Sequence, residues 1–151
     1  MISEKPPGSG LPGAGKLNSE DLMQDSFRKS YLTLPLQPTV AVATAVITYI
    51  VQRPMKVIGM QLCLSDTGTG TGATTVNVNV NGTAINAGGS LSIAVGAASN
   101  AVNTTPNVST GYPGGYGVAK GDVITVDVTA VPGTTVPKNA NVILDLLQTD
   151  E

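Results

Sequence analysis

The chain has 151 residues, of which 41% are hydrophobic, 3% aromatic and 12% charged, with a formal net charge of −2. That length suits one domain with an added arm and is enough to bury a core. It has no His, no Trp and a single Cys, which excludes Ser-His-Asp and Cys-His catalysis, His-containing zinc sites and an internal disulfide.

Charge is scarce, at about half the usual ~25%, so composition points away from enzymes and toward a structural or binding role. No cofactor and no small-molecule substrate are expected. No run of Lys or Arg is available to displace counterions from phosphates, so no nucleic-acid partner is expected either. The start of the chain, MISEKPPGSG, has no apolar core of a signal peptide. The longest apolar stretch, Val40–Val51, is broken by Thr44 and Thr48 and is too short for a membrane helix. Synthesis in a cytoplasm, without membrane attachment, is the expectation.

Taken in order, residues 1–30 hold Glu4, Lys5, Lys16, Glu20, Asp21, Asp25, Arg28 and Lys29 together with the cluster KPPGSGLPGAGK. The remainder of the chain is charge-poor. This shift marks an arm ahead of a compact domain, with the boundary set at residues 1–36 for the arm and 37–151 for the body. Asn18 or Ser19 can cap a short helix over about 19–29, with Glu20 and Asp21 at its positive end and Arg28 and Lys29 at its negative end. Leu22, Met23 and Phe27 give it a small apolar face. Such a helix is marginal alone and needs a surface to pack on.

From Tyr31 onward the hydrophobic period is two. Thr39–Gln52 (TVAVATAVITYIVQ) is a β-branched run fenced by Pro38 and Pro54. Both of its faces are apolar: Val40, Val42, Val46 and Ile50 on one, Ala41, Ala43, Ala45, Ile47, Tyr49 and Val51 on the other. A sheet packed on one side covers only one such face, so the second implies a subunit contact or the docked arm, with Ile47, Tyr49 and Val51 as candidate subunit-contact residues. In Met55–Leu64, Ile58, Met60, Leu62 and Leu64 alternate with Val57, Gly59, Gln61 and Cys63. Thr74–Asn81 sets Val76, Val78 and Val80 against Asn77, Asn79 and Asn81, and ends in the hairpin signal Asn81-Gly82, so that Thr83–Asn86 can pair back. Ser90–Val95 is a further strand. Residues 96–120 form a polar, Gly-rich loop with Tyr112, Tyr116 and one short strand. Gly121–Val131 places Ile124, Val126 and Val128 inward, and Asn141–Leu147 does the same with Val142, Leu144 and Leu146. The fold class is all-β: an antiparallel β-sandwich or jelly roll of seven to eight strands with an N-terminal arm.

Several short motifs have simpler readings than their chemical ones. Gly10–Lys16 matches the start of a phosphate-binding P-loop, but Leu17 replaces the magnesium-binding hydroxyl and no buried strand precedes it. Gly8, Gly10 and Gly13 spell a dinucleotide fingerprint with the same missing context. Asp66-Thr67-Gly68 resembles the catalytic tripeptide of retroviral-type aspartic proteases, but Ser65 and Thr69 depart from the flanking pattern, and Asp-Thr-Gly is also a turn sequence. Asp122, Asp127 and Asp145 lack the clustering of a calcium loop, and Asp127 and Asp145 fall on solvent-facing strand positions. Asn81, Asn103 and Asn107 begin glycosylation-type triplets that read as turn and loop residues. Cys63 is a packing residue on a strand. Tyr112 and Tyr116 either cover an open end of the sandwich or contact a ligand.

A longer resemblance runs through LSDTGTGTGATTVNVNVNGTAI and, after a variable loop, GVAKGDVITVDVTAVPGTTVPKNANVILDLL. The two segments resemble a module recurrent in tailed-phage virion proteins, in which a Gly-rich turn and a V-x-V-x-V-N-G-T hairpin precede a G-D-hydrophobic-T-V-D-V strand. The matching residues are Val76, Val78, Val80, Asn81, Gly82 and Thr83, then Gly121, Asp122, Thr125, Val126, Asp127 and Val128. The resemblance covers about residues 57–147. It implies a jelly-roll-like sandwich used on capsid exteriors and in fibres, with no active site. The layout is most similar to capsid decoration (cement) proteins: a small β domain, often a homotrimer, with a terminal arm that grips the major capsid protein. On that reading the chain resides on the capsid exterior of the virion, and Leu11, Leu17, Leu22, Met23, Phe27, Arg28 and Tyr31 are the arm residues that contact the shell. An extended arm covers much surface per residue and meets its ordering entropy on binding. The alternatives are a carbohydrate- or receptor-binding fibre domain using Tyr112 and Tyr116, and, more remotely, an aspartic protease using Asp66.

Overall fold

The computed structural model describes residues 29–86, 89–98, 101–105 and 115–149. The arm residues Leu11, Leu17, Leu22, Met23, Phe27 and Arg28 and the P-loop-like segment lie outside them, as does the helix expected over 19–29 apart from Lys29. The described residues form ten strands and no helix: β1 (Lys29–Pro35), β2 (Ala43–Ile50), β3 (Met55–Asp66), β4 (Ala73–Val80), β5 (Thr83–Ala84), β6 (Leu91–Ala94), β7 (Ala101–Thr105), β8 (Tyr116–Val118), β9 (Val123–Ala130) and β10 (Lys138–Gln148). Among the described residues no helix is long and apolar enough to cross a membrane.

All pairings are antiparallel and fall into two sheets. Sheet A runs β1-β10-β3-β7, with β8 pairing a second stretch of β3; sheet B runs β2-β9-β4-β5, with β6 pairing a second stretch of β4. Each sheet thus has three long strands and one edge made of two short ones. The chain alternates between the sheets, and β6 of sheet B lies against β3 and β7 of sheet A. Buried side chains of both sheets join one hydrophobic cluster, including Leu62, Leu64, Val142 and Leu144 from A and Val76, Val78, Ile124 and Val126 from B. Full burial of each such side chain is worth about 1.5–3 kcal/mol.

Period-two alternation gives the correct inward face on β4, β9 and β10, where Val76, Val78 and Val80, Ile124, Val126 and Val128, and Val142, Leu144 and Leu146 are buried. The Asn81-Gly82 hairpin is present, with φ of 51° and 81° at its two central residues, the left-handed pair that a tight hairpin turn requires.

On β3 the expectation fails at Ile58. Asp145 pairs with Gly59 and Leu146 with Val57, so Ile58 is an extra residue, a β-bulge that reverses the strand's phase. Beyond it Val57 and Met55 are buried, with Ile58 only half-buried. Gly59, beside the bulge, leaves room for the Asp145 carboxylate: a Cβ there would lie 2.7 Å from it and push it aside. Residues 96–120 contain two short strands, β7 and β8, where one was expected.

Residues 29–36, assigned by charge and composition to the arm, lie in the body. β1 pairs with β10 from Lys29↔Leu147 to Pro35↔Asn141, and Leu34 and Leu36 are buried. The charge shift itself lies near residue 30, and the alternation Leu32, Leu34, Leu36 beyond it is the signal of a strand.

Candidate functional site

With β6 and β7 meeting at one side of the molecule, β1 and β2 are the remaining edges of their sheets, each paired on one side only among the described residues. Residues 36–42 join them. Edge strands usually carry charges that discourage pairing with other chains. Here Tyr31 to Gln52, spanning nearly all of both edges, contains no Asp, Glu, Lys or Arg. Among the described residues the exposed large hydrophobics also belong to these two edges and the segment between them: Tyr31 at 73%, Val42 at 60% and Ile50 at 54% exposure. A groove of about 300 Å³ opens here, with Leu36, Val40, Val46 and Val128 as its apolar wall and Thr39 and Thr44 among its polar lining.

β2 is not the regular two-faced strand expected from Thr39–Gln52. Its pairing with β9 jumps between Ala43↔Val128 and Ile47↔Val126, and Ala45 sits at φ 48°, a conformation rare for alanine. This irregularity decides which side chains face the core. Val51 is fully buried, and Ile47 and Tyr49 are half-buried against the core cluster. Of the three candidate subunit-contact residues, Val51 is enclosed within this chain and Ile47 and Tyr49 lean on its core, while Val42 and Ile50 are the more exposed positions.

The acidic residues have structural partners. Asp127, expected in solvent, is half-buried and accepts two hydrogen bonds, from the Ala45 N–H at 2.7 Å and the Asn79 side-chain amide at 2.8 Å. It thereby caps the irregularity in β2 with a charged acceptor. Nothing in local sequence spacing joins positions 45 and 127; only the strand order β2-β9-β4 does. Asp122 accepts from the Asn81 amide and from the Ala119 N–H, and Asn81 in turn accepts from the Val123 N–H. The clasp ties the β4–β5 turn to the entry of β9. Hydrogen bonds from Asn81 first, and from Ala119, hold the Asp122 carboxyl below its ordinary range.

Asp66 accepts from the Gly68 N–H at 2.9 Å, an Asx turn that ends β3. The following Gly-Thr run docks on the β9–β10 connection through Thr69↔Thr135 pairing and a hydroxyl contact between the two threonines. An open hollow of about 430 Å³ beside them is lined by Asp66, Thr134, Thr135 and Lys138. Asp145 lies over Gly59 on the outer face of sheet A, and its Oδ1 is enclosed with no hydrogen-bond partner among the described residues. No group of three or more His, Cys, Asp or Glu that could hold a metal occurs among the described residues.

Of the remaining candidates, Tyr116 pairs with Val57 and is half-buried against the core, whereas Tyr112 lies outside the described residues. Cys63 is a half-buried free thiol whose pKa is pushed up by burial. Tyr31, placed with the arm from sequence, is the outward residue of β1 opposite Asp145. In comparisons with known proteins, no family model, no curated sequence and no solved structure matches the chain.

Proposed function

We propose that this chain is a structural virion protein that binds and stabilises the exterior of a phage capsid. Its body is a jelly-roll-like sandwich that assembles as a homotrimer, and its N-terminal arm grips the major capsid protein. The observation that carries this reading is the junction at Lys29: a charged, Pro/Gly-rich segment runs directly into an edge strand of a charge-poor β body. Force on the arm is then borne by the whole β1–β10 ladder, which suits a staple. The likeness of residues 57–147 to tailed-phage virion modules agrees with it. The charge-free β1/β2 side, with Val42 and Ile50 exposed, is the surface on which the subunits meet.

The test is co-sedimentation with undecorated shells of the phage that encodes the chain. Full-length protein pellets with the shells, and a variant lacking residues 1–28 stays in the supernatant while remaining folded and oligomeric. Truncation must stop before Lys29, since β1 begins there. Normal decoration by the truncated form would refute the role of the arm.

A further inference from the structure

The two sheets turn unlike outer faces to their surroundings. On sheet B the outward positions of the central strands are Thr75, Asn77 and Asn79 of β4 and Thr125, Asp127 and Thr129 of β9, polar residues of which Asn79 and Asp127 bond to each other and Thr129 to the Thr75 carbonyl. On sheet A the register sets four rows across β1, β10 and β3: Lys29–Leu147–Lys56, Tyr31–Asp145–Gly59, Thr33–Ile143–Gln61 and Pro35–Asn141–Cys63. Among the polar residues of these rows, the exposed Tyr31 and the half-buried Leu147, Ile143 and bulged Ile58 supply apolar patches. Gly59 leaves a dent in the middle of this face, and beside the dent the Asp145 Oδ1 is enclosed without a partner. An enclosed carboxylate oxygen without a donor is costly, and large apolar side chains on the outer face of a sheet gain from a covering segment.

We propose that residues 17–28 of the same chain are that layer, folded back from Lys29 across the outer face of sheet A. The segment enters at the first row of the face, so its attachment places it there at an effective concentration on the order of millimolar. Its apolar residues, Leu17, Leu22, Met23 and Phe27, match the face, and Ser26 and Arg28 offer donors for Asp145. Glu20, Asp21 and Asp25 oppose the lysines Lys29 and Lys56, which flank Leu147 in the first row. The fourth row lies about 20 Å along β1 from Lys29; twelve residues span about 18 Å as a helix and about 40 Å extended, so the extended form is the one that covers Cys63. In the free protein this returns Leu17, Leu22, Met23 and Phe27 to the body and leaves residues 1–16 as the outward reach. The inference stands whether or not the chain decorates capsids.

Cys63, the chain's one cysteine, lies in the fourth row and reports on cover. The experiment follows its reaction with dithiobis-nitrobenzoate in the full-length protein at fixed pH, across a range of protein concentrations. A segment docked nine-tenths of the time slows the reaction about tenfold. The double variant Leu22→Asp/Phe27→Asp therefore reacts about tenfold faster than the parent, while Leu11→Asp does not. Ile143→Asp, which alters the face rather than the segment, gives a similar rise with an unchanged far-ultraviolet circular dichroism spectrum. Equal rates in parent and double variant would overturn the proposal. So would protection that fades on dilution, which would assign the cover to a second copy.

Discussion

Replacing Asp127 with Ala removes the acceptor for two donors at once. The Ala45 N–H, at 2.7 Å, belongs to a residue at φ 48° whose amide lies outside the β2–β9 ladder register. The Asn79 amide, at 2.8 Å, belongs to a side chain that is only 7% exposed. Hydrogen bonds to a charged group contribute about 1.5–3 kcal/mol each when buried. The Ala45 bond lies near solvent, where water replaces much of it, so it counts at the bottom of that range or below. Asn79, left buried with an unpaired amide, incurs about 1–3 kcal/mol. Together these predict a loss of roughly 2–4 kcal/mol in Asp127→Ala. Urea denaturation of the single variants Asp127→Ala and Asn79→Ala, and of the double variant, isolates the pair. A coupling of about 1 kcal/mol is expected from the double-mutant cycle. Hydrogen exchange at the Ala45 amide should also accelerate in Asp127→Ala. A loss below about 0.5 kcal/mol, with unchanged exchange at Ala45, would refute the reasoning that Asp127 holds the irregularity in β2.

Other predictions rest on different parts of the molecule. Leu62→Ala and Leu144→Ala, both fully buried, should each cost about 2–5 kcal/mol by denaturant titration. Gly68→Ala puts a Cβ 2.2 Å from the Thr135 carbonyl oxygen at φ 74°; a loss of at least about 1–3 kcal/mol in the same assay is expected. Asp122 has a folded pKa below its ordinary value of 3.8. Its contribution is complete above that value and is lost as pH falls toward the depressed folded one. The acid limb of the stability profile should therefore flatten below about pH 4 in Asp122→Asn, as followed by circular dichroism. In a glycan-binding screen, the Tyr112→Ala and Tyr116→Ala variants should behave like the parent; sugar binding lost in both would favour the fibre reading instead.

Strand positions were legible in the sequence wherever one face alone meets the core. Val76, Val78 and Val80 alternate with asparagines, and that contrast fixes the face without knowledge of the partner strand. The same logic misplaced Ile58 and misjudged β2, because in both places an irregularity changes the phase, and its partner is distant. Gly59 lies against the Asp145 carboxylate on β10, and the Ala45 N–H donates to Asp127 on β9. Neither partner is near in sequence, so no window of local spacing contains it. The candidate surface was half legible. A charge-free run from Tyr31 to Gln52 can be read by inspection, but only the strand order makes its two halves edge strands of the two sheets. Tyr31 illustrates the limit. Next to Lys29 and Ser30 it resembled an arm residue, yet pairing with β10 makes it part of the outer face of sheet A.

The most direct measurement is cryo-electron microscopy of undecorated shells from the encoding phage, incubated with the full-length chain. The account predicts added density outside the shell, in three-fold clusters of two-sheet bodies, each with a thin connection from the start of β1 to the capsid surface. Bare shells at saturating protein, under conditions where the chain is folded, would contradict it.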